Sequence, residues 1–195
     1  KKGYKVGIMD ADITGPSIPK AFGVTKQIVG NGELMFPQIT KLGIKIISVN
    51  LLIEEPTRPV LWRGPVIGGA VKQFYQDVLW EDLDFLFIDM PPGTGDVALT
   101  VFQSIPVDEV VIVSTPQDLV SMIVGKAVNM CKMMNISVLG LVENMSYMEC
   151  PCCKEHLHPF GNSKIEEVSL DYHLTALDQM PIQPEVASLV DQGLI

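Results

Sequence analysis

Short apolar runs alternate with longer amphipathic stretches along this chain. The runs are Tyr4–Asp10 (YKVGIMD), Ile44–Val49 (IKIISV), Phe85–Asp89 (FLFID), Glu109–Thr115 (EVVIVST) and Val138–Glu143 (VLGLVE). Each is strand-length, rich in β-branched residues and nearly continuous, the pattern of strands covered on both faces in a parallel sheet. Helix-length segments lie between them at Val66–Gln76, Val97–Gln103, Leu119–Met134 and Ser163–Val168. Leu174–Met180 reads as one more strand and Pro184–Gln192 as a last helix. This alternation predicts a doubly wound, mostly parallel α/β sheet. With no internal repeat and no low-complexity linker, residues 1–195 read as a single domain, with a Cys-rich loop at about 146–160. Ligands of such sheets bind beyond the carboxyl ends of the strands. The residues that follow each strand therefore carry the functional question.

Composition narrows the classes. The 14 Lys and Arg are outnumbered by 23 Asp and Glu, for a net charge of −9. No basic run exceeds Lys1-Lys2, which argues against a nucleic-acid surface. No apolar stretch approaches the ~20 residues of a membrane span, and no stable membrane association is expected. Lys1-Lys2-Gly3-Tyr4 lacks the apolar middle of a signal peptide. Three of the four cysteines crowd into Cys150–Cys153. Such adjacent thiols point to metal or redox chemistry in a reducing compartment, with the cytoplasm as the expected location.

The first run ends in Asp10-Ala11-Asp12-Ile13-Thr14-Gly15-Pro16-Ser17. Two carboxylates one residue apart before a Gly-Pro turn suit a divalent cation or an attacking water, although the same residues also build ordinary turns. The third run ends in Asp89-Met90-Pro91-Pro92-Gly93-Thr94-Gly95-Asp96. An apolar strand ending in Asp is the Walker B pattern, whose carboxylate holds Mg²⁺ directly or through water. Gly93 and Gly95 would let the loop backbone move against a γ-phosphate. Asn144 follows the fifth run, where its amide could read a base edge or simply make a turn. Cys150 and Cys153 form a C-x-x-C pair. A 4Fe–4S cluster takes four thiolates, so the pair suits a cluster bridging two chains. A zinc ion held by Cys150, Cys153 and one or both of His156 and His158 is the competing solution. Cys131 and the methionines Met130, Met133 and Met134 sit at helical spacing and are expected in the core. Arg63 could reach a phosphate or a partner but reads at least as well as an ordinary surface residue, Lys126 reads better as part of a solvated helix face, and His173 carries no signal.

Taken together, these strings resemble the Mrp/ApbC family of iron–sulfur cluster carrier ATPases. That family belongs to the deviant-Walker P-loop proteins of SIMIBI type, beside the MinD and ParA ATPases. The matching strings are V-G-I-M-D-A-D-I-T-G-P-S-I-P, L-W-R-G-P, D-F-L-F-I-D-M-P-P-G-T-G-D, S-T-P-Q-D, V-E-N-M-S-Y and C-P-C-C, in family order over essentially the whole chain. The C-P-x-C pair separates the family from MinD and ParA. The resemblance implies an ATPase using ATP and Mg²⁺, and a homodimer that carries a 4Fe–4S cluster to apo iron–sulfur proteins. It implies that Asp12 orients the attacking water and that Asp10 and Asp89 serve the Mg²⁺ shell. Gly93, Thr94 and Gly95, within the stretch to Asp96, would sense the γ-phosphate. Asn144 would read adenine, and Met180–Pro184, with Pro181 and Pro184, would close over the base. Cys150 and Cys153 would hold the cluster.

The chain also departs from the resemblance. The Gly-rich P-loop with its two lysines is absent, and is expected on the order of twenty residues upstream of Tyr4. Lys1 then reads as the edge of an N-terminal truncation that removes the first strand, the P-loop and the first helix. A chain without that loop is expected to bind ATP poorly and to be inactive alone. The end at Gly193-Leu194-Ile195 also looks clipped. Ile123 and Gln183 stand where Asp is common in the family, and Cys152 is an additional thiol. Two other functions fit parts of the pattern: a MinD/ParA-like positioning ATPase, and a non-catalytic binding module with a structural zinc.

Overall fold

The computed structural model describes residues 2–13, 15–52 and 64–195. Arg63, with most of the L-W-R-G-P string, and Thr14 lie outside the described residues. The chain divides into two compact units, one of residues 1–105 and 185–195 and the other of 106–184.

In the first unit, β1 (Val6–Asp10) is followed by a short helix α1 (Ile18–Ala21) and an antiparallel ribbon of β2 (Val29–Gly30) and β3 (Met35–Phe36). Then come β4 (Gln38–Ile39) and β5 (Lys45–Ser48), which leads into a 3-10 turn at Val49–Leu51. Helix α2 (Gly64–Gln76), β6 (Phe85–Asp89) and α3 (Asp96–Ser104) complete it. The sheet order is β4-β5-β1-β6, with β1 parallel to both β5 and β6 and β4 antiparallel at the edge. Met9, Ile46 and Ile47 are fully buried in this sheet, and Val71, Phe74, Ala98 and Val101 of the helices are buried as well. Gly7 is required by packing, because a Cβ there would lie 2.7 Å from Leu83 and 2.9 Å from Trp80.

The second unit contains β7 (Glu109–Ser114), α4 (Asp118–Met133) and β8 (Ser137–Glu143). A small antiparallel hairpin of β9 (Met148–Glu149) and β10 (His156–Leu157) follows, then α5 (Ile165–Tyr172) and β11 (Ala176–Gln179). β8 is the middle strand of a parallel sheet ordered β11-β8-β7. Its core joins Ile112 and Leu141 to Val124 and Val128 of α4 and Ile165 and Val168 of α5. The last helix, α6 (Pro184–Gln192), runs back into the first unit, where Ile195 N–H donates to the Ala21 carbonyl and Lys20 pairs with Asp191.

The parallel α/β architecture agrees with the sequence reading, with two differences. The methionines of α4 are not its core. The buried stripe is Val124, Val128 and Cys131, and Met133, two residues past Cys131, falls on the opposite side and is 86% exposed. The strands are also not covered on both faces among the described residues. β6 and β7 are outer strands, and alternate positions along them (Phe85 and Phe87, Val111 and Val113) are exposed. Continuous apolar runs report that a face can be buried, while its cover must come from other elements.

Gly140 is the tightest point in the second sheet. A Cβ there would stand 2.5 Å from the Thr175 carbonyl oxygen and 2.6 Å from Leu177 Cγ. Gly140→Ala must push β11 away from β8, and is expected to destabilise the second unit by about 1–3 kcal/mol in a urea titration.

Candidate functional site

The register of the first sheet places three polar residues abreast at its carboxyl end. Asp10 pairs with Ser48 on one side and with Asp89 on the other. Asp10 and Ser48 are fully buried. The Ser48 hydroxyl donates to Asp10 Oδ2 at 3.0 Å and accepts from Asn50 N–H at 3.3 Å. Asn50 Nδ2 in turn donates to the Pro16 carbonyl at 3.1 Å, holding the turn after β1. That turn is built on carboxylates: Asp12 N–H donates to Asp10 Oδ1 at 3.2 Å, and Gly15 N–H to Asp12 Oδ1 at 3.1 Å. Ala11 N–H donates to the Asp89 carbonyl at 2.8 Å, so the turn starts locked to β6.

Burial raises the Asp10 pKa to about 6; the Asp89 charge also raises it, while the Ser48 hydroxyl bond opposes the rise. Asp89 is raised as well, by burial first and by the Asp12 charge second. Asp10 and Asp89 therefore stand side by side at the strand ends, and oxygen donors of this kind are the ones a hard cation such as Mg²⁺ takes. Beyond β6, Gly93 takes φ +87°, a left-handed turn that suits glycine, and Gly95 caps α3 without any side-chain bond. The loop therefore brings exposed backbone to a helix N-terminus, a usual place for phosphate oxygens.

In the second unit, Asn144 follows β8. Its N–H donates to the Ser114 carbonyl at 2.7 Å, tying it to the end of β7, and its Oδ1 accepts from Met145 N–H at 2.9 Å. Met145 takes φ +55°, which turns the chain toward the cysteines. Pro181 and Pro184 flank a segment bonded to this turn: Ser146 N–H donates to the Met180 carbonyl at 2.9 Å and Ile182 N–H to the Tyr147 carbonyl at 2.7 Å.

Cys150, Cys152 and Cys153 occupy the turn of the β9–β10 hairpin. Cys150 N–H donates to the Glu155 carbonyl and Lys154 N–H to the Cys150 carbonyl, at 2.9 and 3.0 Å. The Cys150 thiol pKa is lowered, first by the backbone N–H of Cys153, then by that of Cys152, then by the Cys153 thiol. Backbone donors aimed at one sulfur preorganise it as a thiolate ligand. Cys152 and Cys153 are exposed. Among the described residues no set of three or more His, Cys, Asp or Glu is placed to hold one metal ion. His156 and His158 are otherwise engaged: His156 stacks on Tyr147 with centroids 4.1 Å apart, and His158 Nδ1 lies 3.1 Å from the Ser146 carbonyl oxygen. Cys131 is buried in α4, away from this chemistry, and burial raises its pKa.

The structure thus gathers Asp10, Asp12 and Asp89 in one unit, and Asn144, the Met180–Pro184 segment and the Cys hairpin in the other. Ser48, Asn50 and Glu143 were not singled out from the sequence. Ser48 had a signal, a hydroxyl ending an otherwise apolar strand. Glu143 had one too, a carboxylate ending β8 that is only 2% exposed.

A family model described as ParA, NUBPL iron-transfer P-loop NTPase, matches residues 1–195. The chain belongs to this family. It is 48% identical over 201 residues to the iron-sulfur cluster carrier protein of Clostridium perfringens, covering 99% of this chain and 70% of that protein. The iron-sulfur cluster carrier protein of Methanocaldococcus jannaschii is 43% identical over 195 residues, covering 98% and 67%. The Aquifex aeolicus protein of the same name is matched over only 53% of its length. Among solved structures, the nucleotide-binding protein of Archaeoglobus fulgidus, in complex with ADP and with cobalt found by PIXE, superposes with a TM-score of 0.86 at 40% identity, over 99% of this chain and 75% of that one. MinD of Pyrococcus horikoshii with Mg-ADP gives a TM-score of 0.59 at 17% identity, a likeness of fold alone. The family's P-loop NTPase fold is that expected from the sequence. No helix among the described residues is long and apolar enough to cross a membrane.

The raised Asp10 pKa makes a sign-definite prediction. A carboxyl whose folded pKa of about 6 exceeds its ordinary value of 3.8 adds nothing unfavourable below pH ~4 and destabilises the fold progressively as pH rises to ~6. The full cost is about 3 kcal/mol. In EDTA, Asp10→Asn should therefore gain stability relative to the wild type between pH 4 and pH 7.5, by up to about 3 kcal/mol in paired urea titrations.

Proposed function

We propose that this chain is the nucleotide- and cluster-handling part of an ATP-dependent iron–sulfur cluster carrier. It holds a 4Fe–4S cluster between two copies of itself and delivers it to apo iron–sulfur proteins. The observation that carries this reading is the Cys150–Cys153 turn. It is a hairpin tip where backbone N–H groups of Cys153 and Cys152 lower the Cys150 pKa, in a chain whose β1 and β6 end in Asp10 and Asp89. A 4Fe–4S cluster takes four thiolates. One hairpin supplies Cys150 and Cys153, and the described residues place no third and fourth ligand around them. A second copy supplies the missing pair. Such thiols persist in a reducing compartment, and we assign the protein to the cytoplasm on that ground.

On this reading Asp10 and Asp89 hold Mg²⁺, which supplies charge neutralisation at the phosphates. Asp12, at the head of the turn, orients the attacking water. Gly93, Thr94 and Gly95 present backbone N–H groups to the γ-phosphate. Asn144, with Pro181 and Pro184, encloses the base. None of the 195 residues forms a G-K-G-G-x-G-K-[ST] run, so the lysines of such a loop come from outside them. The exposed outer strand β6, bearing Phe85 and Phe87, offers a parallel edge on which a strand carrying that loop would pair.

Anaerobic reconstitution tests the cluster reading. About four irons and four sulfides per two chains are expected. The Cys150→Ala, Cys153→Ala double variant should take up none, while Cys152→Ala should keep the cluster. One zinc per chain with no iron would overturn the proposal in favour of a structural zinc module. Calorimetry tests the nucleotide reading. The 195 residues alone should bind MgATP at least about ten-fold more weakly than a form joined to a strand with a Gly-rich loop. In that longer form Asp12→Asn should lower kcat roughly a hundred-fold with little change in KM.

A further inference from the structure

The Cys hairpin has only two residue pairs, His156 with Glu149 and Leu157 with Met148. A ribbon this short is marginal by itself. Two of its side chains reach the turn that precedes it, those of His156 and His158. His158 Nδ1 is 3.1 Å from the Ser146 carbonyl oxygen. A carbonyl only accepts, so Nδ1 carries the proton and donates. His156, on β10, stacks on Tyr147 with its ring inclined by 20°.

Ser146 and Tyr147 are bonded on their other side as well. The Ser146 hydroxyl donates to the buried Glu143 carboxylate at 2.6 Å, and the other oxygen of that carboxylate accepts from Lys164 N–H at 3.1 Å, just before α5. Ser146 N–H donates to the Met180 carbonyl, Met180 N–H to the Glu143 carbonyl, and Ile182 N–H to the Tyr147 carbonyl. One short turn therefore faces the hairpin on one side and the Met180–Ile182 segment on the other, with Glu143 as its buried anchor.

We propose that His158 is a positioning residue that joins the Cys hairpin to the Met180–Ile182 segment, so that metal held by Cys150 and Cys153 stiffens that segment. This rests on the reading of those two cysteines as metal ligands. The physical route is short. Bridging the two thiols closes the turn and orders a ribbon that is otherwise marginal. His158 follows Leu157 directly, so ordering β10 fixes the imidazole on Ser146. A fixed Ser146 carbonyl limits the opening of the neighbouring Ser146–Met180 and Tyr147–Ile182 bonds. In the carrier this would make cargo at the cysteines felt at the loop assigned to the nucleotide base, and reciprocity requires the converse.

Amide hydrogen exchange with Cd²⁺ alone as the thiolate probe tests this without any nucleotide. In the wild-type chain, Cd²⁺ should slow exchange at Ser146, Met180 and Ile182 by about ten-fold, the effect of stabilising one hydrogen-bonded contact. The β7 amides of Ile112 and Val113 should not change, which separates the effect from general stabilisation. His158→Ala should still bind Cd²⁺ but lose the slowing. His158→Asn, whose amide nitrogen takes the place of Nδ1, should restore most of it. Equal slowing in wild type and His158→Ala would overturn the proposal, as would unchanged exchange at the three amides when Cd²⁺ is bound. Failure of the cluster reconstitution, with the Cd²⁺ effect intact and dependent on Cys150 and Cys153, would overturn the carrier reading and leave the positioning role standing.

Discussion

Parallel pairing of β1 with β5 and β6 is the constraint on which the candidate ATPase site depends. Parallel strands in register end together, so the residues that close them stand side by side whatever their separation in sequence. Here those residues are Ser48, Asp10 and Asp89, from strands almost eighty residues apart along the chain. The pairing forces two carboxylates toward one another and buries one of them. Burial first, and the Asp89 charge as well, raise the Asp10 pKa to about 6.

The second unit uses the same geometry for a different end. β7, β8 and β11 are parallel, and the segment past β8 is held by Ser114 at the end of β7 and by Met180 beyond β11. The hairpin grows out of that fixed point. Cys152 and Cys153 are exposed at its tip, and Cys150 is partly buried. Backbone N–H groups of Cys153 and Cys152 lower the Cys150 pKa, and the two histidines of the ribbon contact Ser146 and Tyr147. Histidines beside a C-x-x-C pair invite a zinc assignment from sequence. In the structure His156 stacks on Tyr147 and His158 Nδ1 faces the Ser146 carbonyl oxygen, so both rings engage the turn before the hairpin.

Most of the fold was legible because strand-length apolar runs and helix-length segments have different periods. The ends of β6, β7, α4 and α6 fall within a residue or two of the pattern's own limits. What escaped were short elements whose residues carry no period: α1, the β2–β3 ribbon and the Cys hairpin. The methionines of α4 misled because helical spacing identifies a helix without saying which stripe faces inward. That choice fell to the buried Val124, Val128 and Cys131, of which Val124 and Val128 join Ile112 and Leu141 in one core.

By itself the sequence determined the family, the strand-final carboxylates Asp10 and Asp89 with Asp12 just beyond the first, and the Cys150–Cys153 pair. Those signals are local: a residue type placed just past an apolar run, or a fixed spacing between two thiols. Only the tertiary structure decided that Ser48 would hold Asp10, that Glu143 would be buried as the anchor of the Asn144–Tyr147 turn, and that His156 and His158 would face that turn. Each of those roles depends on a partner brought near by strand pairing or by a chain reversal. A hydroxyl, a carboxylate or an imidazole in a string of letters shows its own chemistry, but its partner is chosen in space.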